Sequence, residues 1–254
     1  MTNSPTRPYR APDGVELAYR EIGAGRPLVL VHGFTSNGAQ WIEHGPAPAL
    51  AAHGFRVILP DLRGHGESPR PHDPAGYPPD VLADDTLALI DHLGLDDYDL
   101  GGYSLGGRVV LRMLTRGAAP TRAIVAGQGL DAITRQTTRT GMYRRVLTAM
   151  LDDSVDPESP DAMSAYWIKQ LGNDPQALLR VLDSNVATPL VDVRKVPTPV
   201  LVTVGDEDHT HAGADELAAE LPNARFARIP GDHYTAFIAP EFAELLLDFL
   251  RDGG

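Results

Sequence analysis

Gly102-Tyr103-Ser104-Leu105-Gly106 is the stretch whose reading decides the fold. A short run at residues 98–100 leads into it, and a helical pattern over residues 105–116 leads away from it until Gly117. A serine between two glycines, after a strand and before a helix, sits on a sharp turn that lifts its hydroxyl above the sheet edge. The flanking glycines let strand and helix approach. The Leu105 N–H, at the start of the helix, then points toward an anion developing on a substrate oxygen. A glycine-rich turn with a surface serine is the plain alternative, and the strand–turn–helix context favours a nucleophile.

Working outward, short aliphatic runs recur. Leu28-Val29-Leu30-Val31, Val57-Ile58-Leu59, Ala123-Ile124-Val125-Ala126 and Val200-Leu201-Val202-Thr203-Val204 do not alternate with polar residues. Such runs suit central strands of a parallel sheet, buried on both faces. Residues 15–22 alternate more and predict an antiparallel edge strand. Residues 80–93 carry Leu82, Thr86, Leu89, Ile90 and Leu93 on one helical face and stop at Gly94. Ile238, Phe242, Leu245, Leu246 and Phe249 predict a C-terminal helix. Strand and helix alternate except over residues 128–196, where helical segments are broken by Pro157, Pro160, Pro175 and Pro189. The expectation is a core built from residues 1–127 and 197–254, with residues 128–196 as a helical insertion over the carboxyl edge of a sheet covered on both faces.

Other candidates surround the serine. His32-Gly33-Phe34 follows the first run, and a backbone N–H of that loop, from Phe34, is the expected second donor to an oxyanion. His32 is expected to hold the loop. His233 lies after the run at residues 226–229 and before the last helix, where a parallel sheet gathers its site. It is the expected general base. An acid to orient it would follow the run at residues 200–204, and Asp206 and Asp208 are both plausible on position.

Together these residues resemble the α/β-hydrolase family over nearly the whole chain, and the order Ser104, Asp, His233 is the family's order. Pro60-Asp61-Leu62-Arg63-Gly64-His65-Gly66-Glu67-Ser68 is similar to the family's loop after the next strand and is expected to support the site. The resemblance implies the α/β-hydrolase fold: a mostly parallel central sheet flanked by helices, with residues 128–196 as lid. It also favours Asp208 as the acid, third past Gly205. A serine at the nucleophile position argues against the family's haloalkane and epoxide chemistries, which use a carboxylate there.

The expected activity is hydrolysis of a small carboxylic ester or lactone through an acyl-enzyme on Ser104. One alternative is a lyase eliminating pyruvate from a polycarboxylate. Gly102 to Arg108 is similar to that menaquinone-pathway enzyme, and Arg108, Arg135 and Arg139, with Arg144 and Arg145, could grip carboxylates. A solvated helix face is the plainer reading of those arginines. C–C bond hydrolysis and a non-enzymatic ligand receptor are further alternatives. Tyr103, Tyr143 and Trp167 are candidate substrate contacts, beside Met150, Met163 and Tyr166. No large apolar lid face is evident, which argues against a lipase. No cofactor or metal site is suggested. Twenty-two Lys+Arg against 34 Asp+Glu give a net charge of −12, which disfavours nucleic acid and anionic membranes as partners. With no cysteine, no signal-like N-terminus and no membrane-length apolar run, the chain reads as cytoplasmic. Its substrate would be a small molecule, and its oligomeric state is open.

Overall fold

The computed structural model describes residues 4–135 and 138–251, without the side chains of residues 138–140. Eight strands form one sheet: β1 (Arg7–Arg10), β2 (Glu16–Ile22), β3 (Arg26–Val31), β4 (Phe55–Pro60), β5 (Asp99–Tyr103), β6 (Ala123–Ala126), β7 (Val200–Gly205) and β8 (Ala224–Ile229). Their order is β1-β2-β4-β3-β5-β6-β7-β8. The pairs β1/β2 and β2/β4 are antiparallel, and the pairs from β4 to β8 are parallel. The chain has the α/β-hydrolase fold.

The aliphatic runs are the central strands, and their period-two geometry divides them between two cores. Val29, Val31, Ile58, Leu100, Val125 and Val202 face one side of the sheet. Leu28, Leu30, Val57, Leu59, Ile124 and Leu201 face the other. Burying each such side chain is worth about 1.5–3 kcal/mol against exposure, which is why neither face tolerates the polar alternation of a half-solvated strand. Helices Val81–His92 and Leu105–Thr115 cover the first core, and helix Pro240–Arg251 with Ala47–Ala52 covers the second.

Three sequence expectations are corrected. The edge strand is β1, with only Tyr9 buried in its four residues, too short and polar to stand out; the strand expected at the edge is β2, one place in. The C-terminal pattern is two helices, Thr235–Ile238 and Pro240–Arg251, because Pro240 opens the second. Ile238 is therefore off the buried stripe and exposed. The lid does carry an exposed apolar face: Met163, Tyr166 and Trp167 are all exposed along helix Ala162–Gln170.

The described part of residues 128–196 holds helices Leu130–Thr134, Thr138–Leu151, Ala162–Gln170, Pro175–Ser184 and Leu190–Val193 and no strand. No described helix is long and apolar enough to cross a membrane.

Strand order reverses at β3: the chain runs outward from β3 to β4, then returns past β3 to β5. At such a switch point the loops leave in opposite directions and open a crevice at the strands' carboxyl ends. Val31 is in register with Gly102, so the loops after β3 and β5 flank that crevice.

Candidate active site

Ser104 occupies the turn between β5 and helix Leu105–Thr115 with φ 56° and ψ −118°. A serine at positive φ costs of order 1–3 kcal/mol and persists only where its surroundings enforce it. Here the glycines do so by allowing contact that no side chain permits. A Cβ on Gly106 would stand 2.0 Å from the Val31 carbonyl oxygen, and one on Gly102 would stand 2.2 Å from the Gly106 carbonyl carbon. Gln128 Nε2 donates to the Ser104 carbonyl at 2.6 Å, closing the turn.

His233 comes from the loop after β8. Its Nε2 lies 3.0 Å from Ser104 Oγ, and its Nδ1 lies 2.6 Å from Asp208 Oδ2. Nδ1 must donate, because a carboxylate only accepts, and Nε2 is then free to accept from the hydroxyl. The Tyr103 hydroxyl donates to the His233 carbonyl at 2.8 Å, fixing the loop from β5. Asp208 is buried after β7. Burial pushes its carboxyl up, but hydrogen bonds from His211 and His233 outweigh that and hold it well below the usual carboxylate range. Asp206 serves the backbone instead, since its Oδ1 accepts from the Gly231 N–H at 2.9 Å and ties down the loop that carries His233.

The loop after β3 is braced from below. Leu62 N–H donates to His32 Nε2 at 3.0 Å, and His65 Nε2 reaches the Phe34 carbonyl at 2.5 Å. Asp61 accepts from the Gly38 and Glu67 N–H groups at 2.7 and 2.9 Å. Burial lowers the pKa of both His32 and His65, which keeps the two imidazoles, packed edge to face, neutral. Leu105, as first residue of its helix, has an N–H with no acceptor inside the helix. A Cβ on Gly33 would lie 3.4 Å from Ser104 Cβ, so the Phe34 peptide borders the serine.

A cavity of about 340 Å³ opens on Ser104 and His233. Phe34, Tyr103 and Tyr143 line it, as do Trp41, Leu171 and Phe237, which the sequence did not single out. Among its described lining residues none is Arg, Lys, Asp or Glu. Tyr143 packs on Phe34 with ring centroids 4.8 Å apart, so the lid meets the loop after β3 across the cavity.

The other expected contacts fall elsewhere. Arg108 turns away from Ser104, donating to the Ala132 carbonyl and, at 3.2 Å, to that of Val186, so it fastens the helix to the lid. Arg135 is exposed, 3.6 Å from Asp131. Arg144 and Arg145 pair with Asp183 and Asp161. Trp167 stands exposed against Tyr166, outside the cavity. The side chain of Arg139 lies outside the described residues. No arginine cluster faces Ser104 among the described residues.

His211 is the residue that sequence reasoning missed. The 3-10 turn His209–His211 folds it back onto Asp208. Asp208, His211 and His233 bring three potential metal-ligating atoms within 4.8 Å of one another. Both ring Nδ1 atoms are spent on the carboxylate, so the group is a hydrogen-bonded cluster.

The sequence profile described as the alpha/beta hydrolase fold matches residues 26–126. Non-heme chloroperoxidase CPO-A1 of Kitasatospora aureofaciens is 27% identical over 94% of this chain and 97% of its own. The bromoperoxidase of Bacillus anthracis superposes with a TM-score of 0.73 at 27% identity, covering 97% of this chain and 100% of its own. The esterase EaEST of Exiguobacterium antarcticum gives 0.79 at 20% identity over 96% and 99%, a likeness of fold alone.

Proposed function

We propose that this chain, an alpha/beta hydrolase by fold, is a serine hydrolase of uncharged carboxylic esters or lactones. The observation that carries the reading is the 3.0 Å contact of His233 Nε2 with Ser104 Oγ at the floor of an aromatic cavity. Ser104 attacks the carbonyl carbon while His233 takes its proton, and Asp208 stabilises the imidazolium that forms. The N–H groups of Leu105 and Phe34 receive the negative charge on the tetrahedral oxygen. His233 returns the proton to the departing alkoxide. It then activates a water that cleaves the acyl-enzyme.

The cavity also bears on the substrate's charge. A carboxylate entering it would lose hydration without gaining a cationic partner from the described lining, which is costly. That weighs against the polycarboxylate lyase, as does the use of Arg108 in fastening the lid. The names of the full-length relatives favour a second reading, in which hydrogen peroxide replaces water on the acyl-enzyme. That step frees Ser104 and releases a peroxy acid, which oxidises halide.

A fluorophosphonate probe tests the reading. It should label Ser104 and no other serine, and Ser104→Ala should lose both labelling and hydrolysis of a short aryl ester while its melting temperature holds. Labelling elsewhere, or turnover by Ser104→Ala, would overturn it. Peroxide- and bromide-dependent halogenation, absent from Ser104→Ala, would add the second reading.

A further inference from the structure

His211 reaches the same carboxylate as His233. It stands three residues past Asp208, at the end of the 3-10 turn His209–His211 that the Asp208 side chain caps. Its main-chain N–H donates to Asp208 Oδ1 at 3.2 Å. Its ring Nδ1 lies 3.1 Å from Oδ1 and 3.0 Å from Oδ2, the oxygen that also receives His233. The two imidazoles stack, with centroids 4.2 Å apart and planes 22° from parallel. The turn itself is held from outside. Leu130 N–H donates to Gly213 O at 3.1 Å, and a Cβ on Gly129 would come within 2.4 Å of the Ala212 carbonyl oxygen. His211 is thus buried, anchored, and in contact with both Asp208 and His233.

On the reading of Ser104, His233 and Asp208 as a catalytic triad, we propose that His211 is a positioning residue for it. A carboxylate on a flexible side chain rotates, and each rotation moves Oδ2 relative to His233 Nδ1. Two donors from His211, one from the main chain and one from the ring, fix the plane of the Asp208 carboxylate. The stacked ring face fixes the plane of His233. Together they keep Nε2 aimed at Ser104 Oγ. His211 touches no reacting atom, so its contribution is to turnover and not to substrate affinity.

The experiment compares His211→Asn with His211→Leu on a short aryl acetate. Asparagine carries its Nδ2 on Cγ, as histidine carries Nδ1, so it keeps a donor to Asp208; leucine fills the space without one. His211→Leu should lower kcat about tenfold or more with KM little changed, the scale on which the hydrogen-bond partners that orient metal ligands act. His211→Asn should recover most of that kcat. Full activity in a folded His211→Leu overturns the proposal, because the donor is then dispensable. Equal losses in both variants, or better activity in leucine than in asparagine, also overturn it, because packing alone would explain them. If His211→Leu does not fold, His211→Val replaces it. If neither folds, a folded His211→Asn with less than about a tenth of wild-type kcat overturns the proposal, and one that keeps most of it supports it. Ser104→Ala is run alongside: if it still turns over ester, the serine reading has failed, whatever the His211 variants do.

Discussion

Replacing Asp208 by asparagine keeps the side chain's shape and removes its charge, and the geometry says how it must fail. Three N–H groups converge on the two carboxylate oxygens: His233 Nδ1 at 2.6 Å from Oδ2, His211 Nδ1 at 3.0 Å from Oδ2, and the His211 main chain at 3.2 Å from Oδ1. An amide offers one oxygen and one NH2. Turned with its oxygen toward His233, it would set the NH2 against the His211 donors. Turned the other way, it satisfies His211 and faces His233 Nδ1 with a donor. His233 then carries its proton on Nε2, the atom 3.0 Å from Ser104 Oγ, where it must instead accept one. The loss for this kind of tautomeric block is on the order of 10⁴ in kcat, or about 5.4 kcal/mol of transition-state stabilisation. Asp206→Asn should cost far less, since an amide oxygen can still accept from the Gly231 N–H. The assay is kcat for a short aryl acetate, with melting temperature as the control for folding. A folded Asp208→Asn enzyme within tenfold of wild type, or a larger loss in Asp206→Asn, refutes the reasoning.

Three further outcomes follow from the same structure. Asp208's carboxyl is held well below the usual range, burial being outweighed by the hydrogen bonds from His211 and His233. A depressed folded-state pKa gives stability that is present above the unfolded value of about 3.9 and lost as pH falls through the folded one; the melting-temperature difference between wild type and Asp208→Asn should therefore be constant down to about pH 4 and shrink below it, and a difference that shrinks already near neutrality counts against the assignment. Arg108→Ala should lower the melting temperature by several degrees, because it strips donors from the carbonyls of Ala132 and Val186 at a cost of roughly 1–3 kcal/mol each where buried, whereas Arg135→Ala should change neither stability nor KM, and a sharp rise of KM for anionic esters in Arg135→Ala would return the arginines to the substrate.

The local features were legible in the sequence because each is set within a few residues. Aliphatic runs of three to five residues without alternation suit strands covered on both faces, and Gly-x-Ser-x-Gly between a strand and a helix suits a tight turn, in which Gly102 and Gly106 stand where no Cβ fits. Ser104 and His233 could be singled out because the strands they follow could be read, whereas Asp208 was favoured over Asp206 only by the family resemblance. Side-chain direction could not. Whether Arg108 faced the cavity or the lid depended on the carbonyls of Ala132 and Val186, 24 and 78 residues away. Trp41 and Phe237 reach the cavity from opposite ends of the chain, and no local pattern marks them. Asp206 and Asp208 were equivalent in position until the β7 and β8 loops were brought together. His211 lay hidden because a histidine three residues past an acid reads as solvated loop, and only the turn capped by Asp208 returns it to that carboxylate. Periodicity and turn chemistry are encoded locally and survive in a single sequence; which long-range partner completes a buried hydrogen bond is decided by packing, and that exists only in the folded chain.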